Sequence, residues 1–339
     1  MAVHGFGDSI TEGAGASSPA NSYVGKLGAA MGVTIDDAAV STSMVIDQTP
    51  ALYARTISHG DKSIVMFGAN DQAKYGTDPA KRGYFIDGLR AFCARLGSVT
   101  TPINTASATL SGAWSNGYAF GCYGASAPGA KAAFTVTGGT IILGMLRQYN
   151  NSAIFSVMID GLAKGEFSVG GDVRTILGSA YGAMAMAFPC LGSGSHIVEI
   201  NVLSANSANV GFLHWFSGCE PNSGQVVLGN IPHALAYTYG GSAENVDAYN
   251  ADLAALALEM SSYGLNVSLV DVCGALVPSD MHDNVHPADS GHAKIFSLFY
   301  SALVGVVAPP VMTPSQVYLG IDGSPYINVA GVFKKLVTA

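Results

Sequence analysis

Apolar positions over residues 1–98 alternate between two spacings. Val3–Phe6, Val33–Ile35 and Ser63–Phe67 are short, nearly continuous apolar runs, as expected of strands covered on both faces. Between them the spacing becomes helical. Tyr23, Leu27 and Met31 share one face behind a cap at Asn21 or Ser22, and a second helix is expected near Val45–Ile57. Asp78 or Pro79 opens a third, in which Phe85, Leu89, Phe92 and Leu96 keep the helical period. Strands alternating with helices predict a parallel sheet covered by helices on both sides.

The texture changes between about Ser98 and Gly224. Helical periodicity gives way to short strand-like runs such as Ala132–Val136, Thr140–Leu146, Ile154–Ile159 and His196–Leu203, separated by Gly, Ser and Asn. Asp160-Gly161 marks a tight hairpin corner. This spacing predicts a β-sandwich or jelly roll of roughly 120 residues. The α/β rhythm then resumes, with strands at Gln225–Leu228 and Val267–Val272. The helices here are Asn245–Met260, capped by Ser242, and Ser290–Val304. The expected organisation is therefore one α/β domain in two parts, residues 1–98 and 225–308, interrupted by a β-sandwich over 99–224. Residues 309–339 form a linker and a short β tail that reads as a hairpin or the start of a further repeat.

Composition narrows the function. Of 339 residues, 49% are hydrophobic, 11% are charged and 42 are Gly, which excludes intrinsic disorder and suits a rigid, turn-dense protein. The net charge is −8 and no Lys/Arg cluster interrupts the chain, which argues against nucleic acid as a partner. No window has the length and apolarity of a membrane span; the best, Ile295–Ala308, is stopped by Pro309 and Pro310. The five cysteines lack a C-x-x-C pair, so neither a metal nor a disulfide framework is expected, although one bridge among Cys122, Cys190 and Cys219 stays open. No P-loop, H-E-x-x-H or dinucleotide turn is present, so no cofactor is implied. A strand pattern that begins at Ala2 suggests a module taken from a longer polypeptide.

Three short motifs carry chemistry: Gly7-Asp8-Ser9-Ile10-Thr11, Gly68-Ala69-Asn70-Asp71 and Asp283-Asn284-Val285-His286. The first is a match expected by chance roughly once in several hundred thousand positions. Each sits where a strand of the parallel sheet should finish, and loops leaving those strand ends gather along one edge. A serine needs a base within hydrogen-bond reach to act as a nucleophile. His286 can accept the Ser9 proton, Asp283 can fix the imidazole's tautomer, and Asn70 can aim its amide at an oxyanion. Ser9 as a plain turn or cap residue, Asn70 as a turn former, and His282, His292 or Asp289 as rivals within the third motif are the competing readings. Asp8 and Asp71 read as structural.

With these motifs in this order, the chain resembles the SGNH/GDSL hydrolase superfamily of serine esterases and lipases over about residues 2–98 and 225–307. The resemblance implies a flavodoxin-like three-layer α/β/α sandwich. It also implies Ser9 as nucleophile, His286 as base, Asp283 as its partner, and an oxyanion hole formed by Ser9, Asn70 and a glycine of a second block. That block here reads Asp37-Ala38-Ala39-Val40-Ser41-Thr42, so Thr42 stands where the family has glycine. The family uses the backbone N–H, which threonine also has, but a β-branched residue resists a positive φ.

The expected function is hydrolysis of O-acyl esters, acetyl groups on a carbohydrate above all, because the inserted sandwich resembles carbohydrate-binding modules of some polysaccharide O-acetylesterases. Trp114, Tyr118 and Trp215, with Phe120, Tyr123 and Tyr149, are its candidate sugar-stacking aromatics, against a core role for each. The alternatives are a short-chain esterase or thioesterase with another substrate, and a carbohydrate-binding adhesin on a disabled hydrolase fold. Low charge, abundant Gly and the tail YLGIDGSPYINVAG resemble bacteriophage tail-fibre or tailspike sequences, which implies an extracellular or virion-associated protein that trimerises. A secreted bacterial esterase is the competing placement.

Overall fold

A computed structural model describes residues 1–149, 151–171, 181–206 and 208–305, with the backbone of three short strands between 317 and 335. Five parallel strands form the central sheet: β1 (Val3–Gly7), β2 (Ile35–Asp37), β3 (Lys62–Met66), β4 (Gln225–Gly229) and β5 (Val267–Val270), in the order 2-1-3-4-5. This is the doubly wound, flavodoxin-like order, whose direction of winding switches between β1 and β3.

Both faces of the sheet are covered, which explains the continuous apolar runs. In β3 and just beyond, Ile64 and Met66 face one layer while Val65 and Phe67 face the other. The first layer holds α2 (Tyr23–Met31) and α8 (Asp289–Val304), which contribute Tyr23, Leu27, Ile295 and Phe299. The second holds α3 (Thr49–Ala54), α5 (Pro79–Gly97) and α6 (Ala243–Ser262). Shorter helices follow strand ends: α1 (Ser9–Glu12), α4 (Ala69–Tyr75) and α7 (Val272–Ala275). Caps set the starts. Ser22 accepts from the Gly25 N–H, Asp78 from Ala80 and Lys81, and Ser242 from Asn245. The expected helix near Val45–Ile57 is instead a 3₁₀ turn, Val45–Gln48, running into α3.

Between α5 and β4 the chain builds two facing antiparallel sheets around a separate apolar core. One sheet centres on Ser195–Ser204, which pairs with Ile154–Ile159 and Lys131–Thr137. The other centres on Thr140–Tyr149, which pairs with Tyr181–Pro189 and Gly211–Ser217. Thr140–Tyr149 is buried on both sides. Its Ile141, Leu143 and Met145 fill the sandwich core, while Ile142 packs with the α5 side of the α/β core. Asp87 of α5 accepts from Arg147 at 2.7 Å, and Arg90 donates to the Ala185 carbonyl at 3.3 Å. The sandwich therefore shares its apolar face with α5. Asp160 and Gly161 take φ of 53° and 75° at the hairpin corner, as a type I′ turn requires.

All five cysteines are free thiols, so the bridge left open among Cys122, Cys190 and Cys219 is not formed. The strands Val317–Leu319, Pro325–Val329 and Val332–Lys335 pair antiparallel in a small sheet of their own. Among the described residues no helix is long and apolar enough to cross a membrane.

Candidate active site

The three motifs converge at the carboxyl edge of the parallel sheet, two of them flanking the switch point. Asp8 follows β1 and caps α1 by accepting the Ile10 N–H at 3.0 Å, which presents Ser9 at the first position of the helix. As the first residue of α1, Ser9 has a backbone N–H outside the intrahelical ladder. Gly7 is demanded by close packing. A Cβ there would lie 1.9 Å from the Thr11 hydroxyl and 2.7 Å from the Met66 carbonyl oxygen. Thr11 in turn accepts from the buried Tyr23 hydroxyl at 2.9 Å, which locks the turn onto α2.

The loop before α8 brings the other partners. His286 Nδ1 lies 2.9 Å from Asp283 Oδ2, and its Nε2 lies 3.0 Å from Ser9 Oγ. Asp283 Oδ1 also accepts the backbone N–H groups of Val285 and His286, each at 2.7 Å. Partial burial alone would raise the Asp283 carboxyl. The hydrogen bonds from His286 and Val285 outweigh it and hold the group at about 2. An ionised carboxylate can only accept, so Nδ1 carries the imidazole proton and Nε2 is left to accept from the Ser9 hydroxyl.

Two further contacts fasten this loop to the Ser9 turn. Asp289 accepts the Ser17 N–H at 2.8 Å and the Ser17 hydroxyl at 2.6 Å, so it is a clamp and not the partner of His286. His292 is fully buried, takes the Tyr23 N–H on Nδ1 at 3.3 Å and lies 3.1 Å from the Ala14 carbonyl on Nε2. Burial lowers its affinity for a proton, as befits a neutral structural histidine. His282 is exposed.

A turn and a helix start line the cleft beside Ser9. Ser43 N–H donates to the Val40 carbonyl at 3.1 Å, closing a turn over Val40–Ser43 in which Thr42 has a φ of 65°. Positive φ at that third position alone defines a type II turn, where glycine is usual, and a β-branched residue there is strained by about 1–3 kcal/mol. The turn is nevertheless tightly held. The Val40 N–H and the Ser43 hydroxyl both donate to the Gly7 carbonyl, at 3.2 and 3.1 Å. Asn70, at the start of α4, donates one amide hydrogen to the Ser43 carbonyl at 3.0 Å, which leaves the second for a ligand. Gly68 before it has a φ of 122°, and a Cβ there would strike the Ile231 side chain at 2.3 Å. Asp71 is buried beneath and receives the Val45 N–H, and burial pushes its carboxyl well above the ordinary value, as suits a structural group.

Ser9, Thr42, Asn70 and His286 all line one cleft of about 530 Å³. Its far wall is the loop 231–240 between β4 and α6, with Ile231, Tyr237 and Tyr239. Among the described residues none from the sandwich lines it. Trp215 is 3% exposed and donates its indole N–H to the Tyr53 hydroxyl at 3.3 Å, so it is a core residue and offers no face to a sugar. Trp114 donates to the Lys131 carbonyl at 2.9 Å and packs on the sandwich core, and Tyr118 packs edge-on against Phe212. Tyr237 and Tyr239 were not legible as site residues, because nothing but the position of a long loop after a parallel strand marks them. Among the described residues no three His, Cys, Asp or Glu side chains are placed to hold a metal.

No family model matches the chain, and no curated protein matches it. Among solved structures it is similar to a two-domain esterase active on acetylated mannans, co-crystallized with mannopentaose, at 10% identity and a TM-score of 0.34, over 64% of this chain and 90% of that one. It is similar to a family two carbohydrate esterase from Cellvibrio japonicus at 17% identity and a TM-score of 0.28, over 51% of this chain and 52% of that one. A carbohydrate-binding module, CBM36 in complex with calcium and xylotriose, matches at 11% identity and a TM-score of 0.27, over 34% of this chain and 98% of the module. What the site can do follows from its own geometry and not from these partial overlaps.

Proposed function

We propose that the protein is a serine esterase of the SGNH/GDSL type that removes O-acyl groups, acetyl above all, from a carbohydrate. The observation that carries the reading is the unbroken chain Asp283–His286–Ser9, with both links at 2.9–3.0 Å and Asn70 in the same cleft. Ser9 Oγ attacks the ester carbonyl while His286 Nε2 takes its proton, and Asp283 stabilises the imidazolium. The tetrahedral oxyanion receives the N–H groups of Ser9 and Thr42 and the free amide hydrogen of Asn70. His286 returns the proton to the departing sugar hydroxyl. Water then attacks the acyl-enzyme with His286 again as base, releasing the acid and restoring Ser9. The test is acetate release from acetylated polysaccharide by the wild type and by Ser9→Ala. Equal release by both, or failure of the wild type to cleave even p-nitrophenyl acetate, contradicts it.

A second reading, a short-chain esterase with a non-carbohydrate substrate, is favoured by one observation: none of the described residues of the sandwich lines the cleft. Turnover of p-nitrophenyl esters of increasing chain length, set against release from a glycan panel, separates the two. We propose that the protein works outside the cell or on a virion, where surface polysaccharide is met. Light scattering that finds a monomer argues against the fibre-type trimer.

A further inference from the structure

The cleft is much larger than an acyl group needs. Its volume of about 530 Å³ falls in the range of roughly 300–1,000 Å³ that accommodates ligands of drug size. One wall carries the nucleophile and the oxyanion donors; the other is the loop 231–240, rich in small and aromatic residues. This loop is held at several points. Asn250 binds both backbone groups of Ile231, at 2.8 and 2.9 Å, and the Leu235 N–H donates to the Asn284 carbonyl, 2.7 Å away in the loop that bears His286.

Within that frame the two tyrosines differ. The Tyr237 hydroxyl is held 3.0 Å from His233 Nδ1, and His233 Nε2 lies 3.1 Å from Asp247, which fixes the ring in place. Tyr239 lines the same cleft and is 85% exposed. Large apolar groups left open beside a reactive hydroxyl mark a binding surface more often than idle exposure. A pyranose ring has an apolar face of axial C–H groups that suits an aromatic face, and its hydroxyls remain free for water and polar neighbours.

We infer that the sugar bearing the scissile ester, or its neighbour in the chain, lies on Tyr239 against Tyr237, so that the loop 231–240 and not the inserted sandwich selects the glycan at the catalytic cleft. The inference rests on the esterase reading for its substrate class, but binding tests it without turnover. In the Ser9→Ala background, calorimetric titration with chemically O-acetylated pentasaccharides of glucose, xylose and mannose reads affinity directly. Adding Tyr239→Ala is expected to weaken binding of the preferred pentasaccharide by about tenfold or more, and Tyr239→Phe to restore it. Thermal melting should be unchanged by either, because the side chain is solvent-exposed. Undiminished affinity in the Ser9→Ala/Tyr239→Ala protein, or no binding of any pentasaccharide at millimolar concentration, overturns the inference. A wild type inactive on p-nitrophenyl acetate sinks the esterase reading instead, and the titration still decides whether this loop holds a glycan.

Discussion

His286 Nε2 stands 3.0 Å from Ser9 Oγ although 277 positions of chain separate them. Neither residue is placed by the other. Ser9 is set by the β1–α1 turn, His286 by the hydrogen-bonded loop ahead of α8, and the two are brought into register by Asp289 on Ser17 and His292 on Ala14. Because the partners are preorganised, removing the base should leave a folded but nearly inert protein. His286→Ala is expected to lower kcat for p-nitrophenyl acetate by about 10⁴-fold or more with melting little changed. A loss below tenfold contradicts the assignment.

An ionised Asp283 also adds to stability. Its carboxyl is held at about 2, so it is charged at neutral pH. A carboxyl depressed below its ordinary 3.8 contributes stability above that value, which is lost as pH falls toward 2. Asp283→Asn is therefore expected to lose less melting temperature than the wild type between pH 4 and pH 2, and equal losses contradict the assignment.

Asn70 can be tested without touching the proton relay. Asn70→Ala removes one oxyanion donor and the tether to the Ser43 carbonyl, and a fall of about 10²–10³-fold in kcat is expected with a much smaller change in KM. A change confined to KM assigns Asn70 to ground-state binding instead.

Much of this was legible in the chain, and the misses have physical causes. The apolar runs Val3–Phe6 and Ser63–Phe67 predicted doubly covered strands because both faces of each are buried, and the GDSIT turn located Ser9 because close packing at Gly7 leaves few alternatives. Trp215 was among the sugar-stacking candidates although an aromatic in a β-sandwich is more often core, and its burial against Gly144 and Tyr53 decides for core. Tyr239 was invisible for the converse reason. Loop residues have no periodicity, so nothing in their spacing shows which strand end they overhang.

Thr42 offers a prediction in the unusual direction. Its φ of 65° is a conformation glycine adopts without strain, and the role proposed for it needs only its backbone N–H. Thr42→Gly should keep kcat within a few-fold of wild type. Relief of strain, partly offset by the flexibility glycine adds to the unfolded chain, should leave stability unchanged or raise it by about 1 kcal/mol. Chemical denaturation and ester hydrolysis check both. A tenfold loss of activity means the Thr42 side chain itself contributes to the site.

Asp8 makes the fold sensitive to pH. Burial raises its carboxyl to about 6, partly opposed by the Ile10 N–H and by His286. A carboxyl raised above its unfolded value of 3.8 favours the folded state fully below that pH, and the contribution is lost as pH rises through 6. Asp8→Asn keeps an N-cap acceptor but cannot ionise. Its melting temperature should therefore fall less than that of the wild type between pH 5 and pH 8, and an equal fall in both proteins contradicts the assignment.

The central claim is that Ser9 is a nucleophile activated by His286, and covalent trapping addresses it most directly. Treatment with a fluorophosphonate followed by peptide mass spectrometry should show near-stoichiometric phosphonylation of Ser9 in the wild type and almost none in His286→Ala. Absence of label on Ser9, or equal labelling in the two proteins, would contradict the account.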